Sequence, residues 1–138
     1  MAFRFYLLNT KEKSYLVFSK GKNIIRIPTG HRYIKDIEVP SYTQLFWNIL
    51  TKIKEGRETI DLFADPYHAK GEFEGYILKG EFKNGTFKLT FYKAKQKIKG
   101  FWIFKKRVNM NNEKKIGEIS FSEKEWETSL KSGIKLKK

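Results

Sequence analysis

The sequence predicts an α+β fold in which two antiparallel β-sheet-plus-helix repeats (ββββα-like) pack as one compact domain over residues 1–138. Apolar and polar residues alternate along several short segments, which is typical of half-buried β-strands. Two other segments have apolar residues at helical spacing behind an N-terminal capping box. A chain with 40% apolar and 16% aromatic residues can fill a hydrophobic core, and the absence of Cys excludes disulfides and thiol chemistry.

The first half is predicted to contain four strands followed by a helix. Alternation places the strands at 3–9, 14–19, 23–27 and 33–39. The capping box Ser41-Tyr42-Thr43-Gln44 predicts a helix over 41–54, which ends before Gly56. Its apolar stripe comprises Tyr42, Leu45, Phe46, Ile49, Leu50 and Ile53. Trp47 lies off this stripe, so it either packs at a second interface or is exposed. We expect a core or dimer contact rather than a ligand-binding role, with docking of a partner protein as the alternative.

The second half is predicted to contain five strands and a second helix. The strands are expected at 59–64, 72–82, 86–93, 98–108 and 116–121, and the helix at 123–131. Asn84-Gly85 is a strong signal for a two-residue hairpin, and it places Phe82 opposite Phe87. The capping box Ser122-Glu123-Lys124-Glu125 begins the helix. Its inward-facing residues are expected to be Trp126 and Leu130.

The two halves align without a gap when Phe3 to Lys20 is laid over Leu89 to Lys106. The identical pairs are Phe5/Phe91, Tyr6/Tyr92, Lys11/Lys97, Lys13/Lys99, Phe18/Phe104 and Lys20/Lys106. This similarity predicts an internal duplication. Its parts are repeat one at about 1–56, connecting strands at about 57–82, repeat two at about 83–133 and a basic tail at 134–138.

The charge is the strongest functional signal in the sequence. The net charge is +14, and there is no acidic residue between Glu81 and Glu113 although Lys and Arg recur throughout that stretch. A stretch without counter-charge attracts polyanions, whereas a Lys-rich surface that serves only solubility is the alternative. Neither predicted helix is basic and amphipathic, so we expect nucleic acid rather than a membrane surface as the partner.

Hairpin strands beside a basic turn are expected in both halves. They are Arg4-Phe5-Tyr6-Leu7 with Ser14-Tyr15-Leu16-Val17-Phe18, and Tyr92-Lys93 with Lys99-Gly100-Phe101-Trp102-Ile103-Phe104-Lys105. With the strand-to-helix junction from Ile119 to Trp126, this arrangement resembles the repeat of the PUR-domain proteins and of their relatives, the Whirly and positive-cofactor families. The resemblance implies curved antiparallel sheets, each backed by a helix, with single-stranded DNA or RNA on the sheet. It also implies that Tyr15 and Phe101 stack on bases.

Single-strand binding requires cations that follow the phosphate backbone and aromatic rings that stack on bases. We therefore expect a non-catalytic, single-stranded DNA- or RNA-binding accessory factor without a cofactor, and we leave homodimerisation open. Each aromatic residue could instead pack across strands. The predicted interface comprises Arg4, Tyr6, Lys11, Lys13, Tyr15, Lys88, Tyr92, Lys95, Lys97, Lys99, Phe101, Lys105 and Arg107.

The signals for catalysis are weaker. Only His31 and His68 could act as bases near neutral pH, and the sequence has no Gly-rich phosphate loop or Ser elbow. Asp61, Asp65 and Glu81-Phe82-Lys83 faintly resemble the carboxylate pattern of metal-dependent nucleases. The segments 73–81 and 99–102 also resemble part of the ligase-associated 3′-phosphoesterase domain, whose metal cluster has no counterpart before residue 31. We expect no catalytic or metal-binding residue, with a DNA-end-processing enzyme as the alternative.

The N-terminal segment has no apolar run of the kind that a signal peptide needs. The densest apolar cluster, Phe101 to Phe104, is too short to span a bilayer. We therefore expect a cytoplasmic protein. The abundance of Lys, Glu and Ile without Cys is also typical of thermophiles, and AT-rich coding DNA produces a similar composition.

Overall fold

The computed structural model describes residues 2–62, 72–100, 106–110, 113–131 and 134–137. They form two β-sheets, two α-helices and one short 3-10 helix, which confirms the predicted combination of sheets and helices. In chain order, the elements are β1 (Phe3–Asn9), β2 (Ser14–Lys20), β3 (Asn23–Pro28), the 3-10 helix (Asp36–Glu38), α1 (Val39–Lys54), β4 (Thr59–Asp61), β5 (Glu72–Lys83), β6 (Thr86–Lys99), β7 (Lys106–Asn109), β8 (Lys114–Ser122), α2 (Glu123–Lys131) and β9 (Leu136–Lys137).

The first sheet, sheet A, has the strand order β3-β2-β1-β9. β1 and β3 flank β2 in antiparallel register, so that Phe18 of β2 lies opposite both Phe5 and Ile25. β9 pairs with β1 in parallel, and the described pairs are Leu136 opposite Leu7 and Lys137 opposite Leu8. The first three strands lie where alternation predicts them, but no pattern in the sequence predicts β9.

The second sheet, sheet B, is organised around β6. One edge of β6 pairs with β5, and the other pairs first with β8 and then with β7. The β5–β6 turn consists of Asn84 and Gly85, whose φ angles of 53° and 76° are the left-handed conformations that a tight hairpin requires. Phe82 lies opposite Phe87. The predicted hairpin and its register are therefore confirmed.

The core lies between the two sheets and beneath both helices. The ring centre of Phe18 lies 5.0 Å from the ring centre of Phe5. It lies 4.9 Å from the ring centres of both Phe46 on α1 and Phe91 on β6. These contacts join sheet A, α1 and sheet B through one side chain. A Cβ atom on Gly117 would lie 2.8 Å from Cγ1 of Ile25, so the glycine permits β8 to approach β3 closely.

The start of α1 differs from the prediction. The strand predicted at 33–39 is wrong, because residues 36–38 form the 3-10 helix and α1 begins at Val39, two residues before the predicted start. The predicted cap at Ser41 is also wrong, because Ser41 is already within the helix. Pro40 lies in the first turn, where its missing N–H would have no helical acceptor. The backbone N–H of Lys35 instead donates to Oε1 of Glu38 at 3.1 Å.

The apolar stripe of α1 is confirmed at five of its predicted positions, namely Tyr42, Phe46, Ile49, Leu50 and Ile53. Leu45 is the exception, since it is 37% exposed. Trp47 lies off the stripe as expected, but it is 47% exposed and is not part of the core, so the expected core contact is wrong and a dimer contact stays a prediction. Trp47 lines a small cleft between α1 and α2, together with Leu50 and Trp126.

The start of α2 agrees with the prediction. The N–H of Glu125 donates to Oγ of Ser122 at 3.1 Å, and the N–H of Ser122 donates to the Glu125 carboxylate at 2.7 Å. The hydrogen bond from Ser122 holds the pKa of Glu125 below its ordinary value, and Lys20 at 3.2 Å acts in the same direction. Trp126 is buried as predicted. The side chain of Leu130 lies outside the described residues.

The pairing of β6 with β7 does not match the gapless alignment of the two halves. In the first half, β1 ends at Asn9 opposite Ser14, and the turn occupies 10–13. The alignment places that turn over 96–99, but those residues continue β6, with Lys99 opposite Lys106. β6 extends six residues beyond its predicted end at 93. The two hairpins therefore do not share the register that the alignment requires.

Candidate nucleic-acid interface

The outer face of sheet A is the surface of β1, β2 and β3 that points away from the core. Alternation turns Phe5, Leu7 and Phe18 inward, where they join the hydrophobic core. The intervening residues form the outer face. They are Arg4, Tyr6, Leu8, Tyr15, Val17, Ser19, Ile24, Arg26 and Pro28. None of them is acidic.

Two tyrosines lie near the middle of this face. Tyr6 is opposite Val17, which is in turn opposite Arg26, and Tyr15 lies in the next row opposite Leu8. Tyr6 and Tyr15 are therefore diagonal cross-strand neighbours, a relation that separates residues by about 7–8 Å. Both are half-buried, whereas Val17 is fully buried although it does not belong to the main core. The face thus has an apolar floor beneath two partly exposed rings.

Each tyrosine has a lysine beside its ring. Nζ of Lys137 lies 4.1 Å from the ring centre of Tyr6, and Nζ of Lys13 lies 5.7 Å from that of Tyr15. These are distances at which an ammonium group interacts with an aromatic face. Cation and ring are thus adjacent at two points on the same sheet face.

A buried polar network holds two loops together at one end of sheet A. The side chain of Ser14 bonds to that of Thr29 and donates to the carbonyl of His31 at 2.8 Å. Asn9 both donates to the carbonyl of Ile34 and accepts from its N–H, each at 3.0 Å. The 29–35 loop is therefore fixed near the β1–β2 turn. The exposed cations of these two loops are Lys11, Lys13, Arg32 and Lys35.

Several cations of sheet B, but not Lys99, have acidic residues beside them on neighbouring strands. Lys93 of β6 lies 3.1 Å from Glu74 of β5, and their hydrogen bond raises the pKa of Lys93. Lys88 lies 3.5 Å from Glu118 of β8, whose pKa is lowered mainly by its hydrogen bond with Lys115. Two more predicted cations face acidic residues in the β5–β6 register, namely Lys95 opposite Glu74 and Lys97 opposite Glu72. The stretch without acids in the sequence is therefore next to acids in space.

The cations of the outer face of sheet A and its adjoining turn differ from those of sheet B. Arg4, Lys11, Lys13, Arg26 and Lys137 are all exposed. Within the described parts of the chain, none of the five forms an ion pair with Asp or Glu. The turn also contains the exposed Glu12, which forms no ion pair with Lys11 or Lys13. Exposed cations that form no ion pair attract phosphate more strongly than paired ones. This contrast favours sheet A over sheet B as the anion-binding surface.

The structure thus divides the predicted site residues into two groups. Arg4, Tyr6 and Tyr15 lie on sheet A, and Lys11 and Lys13 lie in its β1–β2 turn. The other described group lies on β6 of sheet B and comprises Lys88, Tyr92, Lys95, Lys97 and Lys99. Phe101, Lys105 and the side chain of Arg107 lie outside the described residues.

Sequence reasoning missed two residues of this surface. Arg26 alternates with the buried Ile25 and Ile27, so its outward position was available from the pattern of β3. Lys137 had no such signal, because its place depends on the pairing of β9 with β1.

The carboxylates considered for catalysis do not converge in the described structure. Asp61 lies opposite Ile77, and Glu81 is four residues further along β5, a separation of about 13 Å along the strand. His31 is exposed, while Asp65 and His68 lie outside the described residues. Among the residues that the structure describes, no group of three or more His, Asp or Glu is arranged to hold a metal ion.

Neither helix in the described part of the chain has the length and apolar character needed to cross a membrane. No protein-family model, curated protein or solved structure matches the chain. The resemblance to the PUR-domain proteins therefore stays a prediction.

Proposed function

We propose that this protein binds single-stranded nucleic acid on the outer face of sheet A and acts without catalysis. The observation that supports the proposal is the contrast between the sheets. Exposed cations outside any described ion pair lie around two tyrosines on sheet A, whereas Lys88 and Lys93 of sheet B contact glutamates. The proposed site lies within one sheet, so it does not require the predicted internal repeat.

The two tyrosines favour a single strand over a duplex. A base can stack on an aromatic ring only when its own face is accessible, which is true of single strands. Tyr6 and Tyr15 are diagonal neighbours, so successive bases could each meet a ring while the backbone passes the cations of the face. The phosphate-binding residues in this arrangement are Arg4, Lys11, Lys13, Arg26 and Lys137.

Lysines on sheet B are expected to contribute less. A phosphate that binds Lys93 must compete with Glu74, and one that binds Lys88 must compete with Glu118. Exchanging one anion for another gains less free energy than neutralising a cation that has no counter-ion. The proposal therefore assigns the main interface to sheet A and only a general attraction to sheet B.

Matched charge variants test this assignment. Arg26→Ala and Lys88→Ala each remove one exposed cation from the solvent face of a strand, but only Lys88 has a carboxylate partner. Binding of a short labelled oligothymidylate should weaken clearly in Arg26→Ala, and the slope of log K against log salt should become shallower by about 0.7. Lys88→Ala should bind as the parent does.

Two outcomes would contradict the proposal. Equal losses in both variants would refute the assignment to sheet A, because the ion pair would then make no difference. A parent protein that binds neither single-stranded DNA nor single-stranded RNA at low salt would refute the function itself. If that protein nevertheless binds heparin, its cationic surface attracts polyanions in general and not nucleic acid in particular.

A further inference from the structure

The exposed face of α1 is uncharged. Charged residues make up 32% of the chain, yet none occurs in 39–51, and every other stretch without a charged residue is six residues or shorter. Helical spacing places six exposed residues of this segment on one side of α1, and a helix face that meets only water usually carries charged residues. The six residues form the α1 face and are Pro40, Ser41, Gln44, Trp47, Asn48 and Thr51.

The composition of the α1 face is typical of the centre of a protein–protein interface. Charged residues are depleted at such centres, tryptophan is enriched, and a few such aromatic residues supply much of the binding energy. Trp47 is 47% exposed, and Ile37, just before the helix, is 83% exposed. The side-chain amides of Gln44 and Asn48 bond to each other at 2.9 Å. Covering the α1 face with another uncharged surface therefore buries no charge.

The charge of the whole chain indicates which surface can cover this face. Two copies with a net charge of +14 each repel each other wherever cations face cations. The α1 face brings no cation into such a contact. An acidic or basic partner, by contrast, would have its charges buried there without counter-ions. A second copy that presents its own α1 face is therefore the best-matched occupant.

The two ends of α1 favour an antiparallel arrangement of two copies. Asp36 and Glu38 outnumber Lys35 just before the helix. The last turn carries Lys52 and Lys54, of which Lys54 already contacts a carboxylate of α2. Asp36 and Lys52 are exposed and outside the ion pairs of the described residues. An antiparallel pair places the acidic start of each helix beside the basic end of the other and opposes their macrodipoles.

We propose that two copies of this chain associate through their α1 faces as a two-fold symmetric, antiparallel helix pair. Pro40 and Trp47 are seven residues apart and lie on the same side of the helix. A two-fold axis between residues 43 and 44 places Trp47 of each copy against Pro40 of the other. The same axis places Asp36 within one position of Lys52 of the other copy. The large side chain of one helix thus meets a small one, and opposite charges meet at the ends.

The dimer does not obstruct the outer face of sheet A. The ring of Phe46 on α1 contacts that of Phe18, which lies on the inner face of sheet A. The outer face therefore stays accessible in both copies, and the inference is independent of nucleic-acid binding. A single helix pair covers less than the about 800 Å² per partner of a standard interface, so we expect a dissociation constant on the order of 10–100 μM.

Sedimentation equilibrium of the nucleic-acid-free protein from about 10 μM to 1 mM tests the dimer, in moderate salt that screens the repulsion between copies. The parent should show a reversible monomer–dimer equilibrium. Gln44→Lys places two cations together near the two-fold axis and should weaken the dimer at least about tenfold. Asn23→Lys adds the same charge at the exposed start of β3 and should dimerise as the parent does. Gln44→Lys should bind oligothymidylate as the parent does.

An exchange of charges tests the antiparallel arrangement. Asp36→Lys alone should weaken the dimer several-fold, because the new lysine faces Lys52 of the other copy. Addition of Lys52→Asp should restore the dimer, and failure to restore it would overturn the antiparallel pair. Urea denaturation of each variant shows whether it is folded. A parent that stays monomeric, or a dimer that Gln44→Lys does not weaken, would overturn the proposal and leave nucleic-acid binding standing.

Discussion

Replacement of Tyr6 and Tyr92 by Leu compares two similar tyrosines on different sheets. Both are half-buried, and each has a lysine Nζ near its ring, Lys137 at 4.1 Å from Tyr6 and Lys79 at 4.7 Å from Tyr92. The difference is that Lys79 also contacts Glu113 at 2.8 Å. Leucine retains much of the apolar contact with the sheet but offers no aromatic face. The pair therefore tests base stacking on sheet A with a matched control on sheet B.

Loss of one base stack costs about 1–3 kcal/mol, which corresponds to a decrease in affinity of about 5- to 150-fold. The affinity of Tyr6→Leu for single-stranded oligothymidylate should fall by this factor, and that of Tyr92→Leu should hardly change. The double change of Tyr6 and Tyr15 to Leu is also informative. If each ring holds a separate base, the two losses should add to within about 0.5 kcal/mol.

Fluorescence anisotropy at several salt concentrations measures the affinity, and urea denaturation of the same samples shows whether each variant is folded. The salt slope of Tyr6→Leu should equal that of the parent, because no phosphate contact is removed. Equal affinities for the Tyr6 and Tyr92 variants would refute the stacking argument for Tyr6. A loss of affinity that follows the unfolded fraction would show that Tyr6 acts only through stability.

Three further predictions concern stability and are measured by urea denaturation. Gly117→Ala should destabilise the fold by about 1–3 kcal/mol, because its Cβ would lie 2.8 Å from Cγ1 of Ile25. Gly85→Ala should cost about 1 kcal/mol, since Gly85 has a φ of 76° in the hairpin turn. Glu125→Gln should cost about 1 kcal/mol at pH 7 through the weakened cap of α2. Because the folded pKa of Glu125 is lowered, its contribution is present above the unfolded pKa and lost as pH falls through the folded value. The parent and Glu125→Gln should therefore become similar in acid, and a constant difference down to pH 2 would contradict this origin.

The elements that the sequence predicts best are those whose signals are local. Asn84 and Gly85 adopt left-handed conformations, which asparagine tolerates and glycine permits because it lacks Cβ, so the hairpin and its register follow from neighbouring residues. The cap of α2 similarly depends only on Ser122 and Glu125, three residues apart. In both places, the interaction that stabilises the structure joins residues that are close in the chain.

The predictions that are wrong or incomplete involve competing or long-range interactions. Ser41 to Gln44 has the composition of a capping box, but helical structure begins earlier, at Asp36. There the backbone N–H of Lys35 donates to the carboxylate of Glu38. The extension of β6 to Lys99 depends on its pairing with β5 and β7. β9 joins residues more than a hundred positions apart in the chain, since Leu136 pairs with Leu7. No local pattern identifies such a partner.

The charge around the candidate site also depends on long-range strand pairing, which the sequence does not show. The distribution of charge along the chain indicates β6 as the anion-binding strand, because no acidic residue occurs between Glu81 and Glu113. In the sheet, however, the neighbours of β6 are β5 and β8, which bring Glu74 and Glu118 to its lysines. The described strands β1, β2 and β3 contain no acidic residue, so their mutual pairing supplies none to Arg4 or Arg26. The attraction of a sheet for phosphate therefore depends on which strands it places side by side, and that property favours sheet A here.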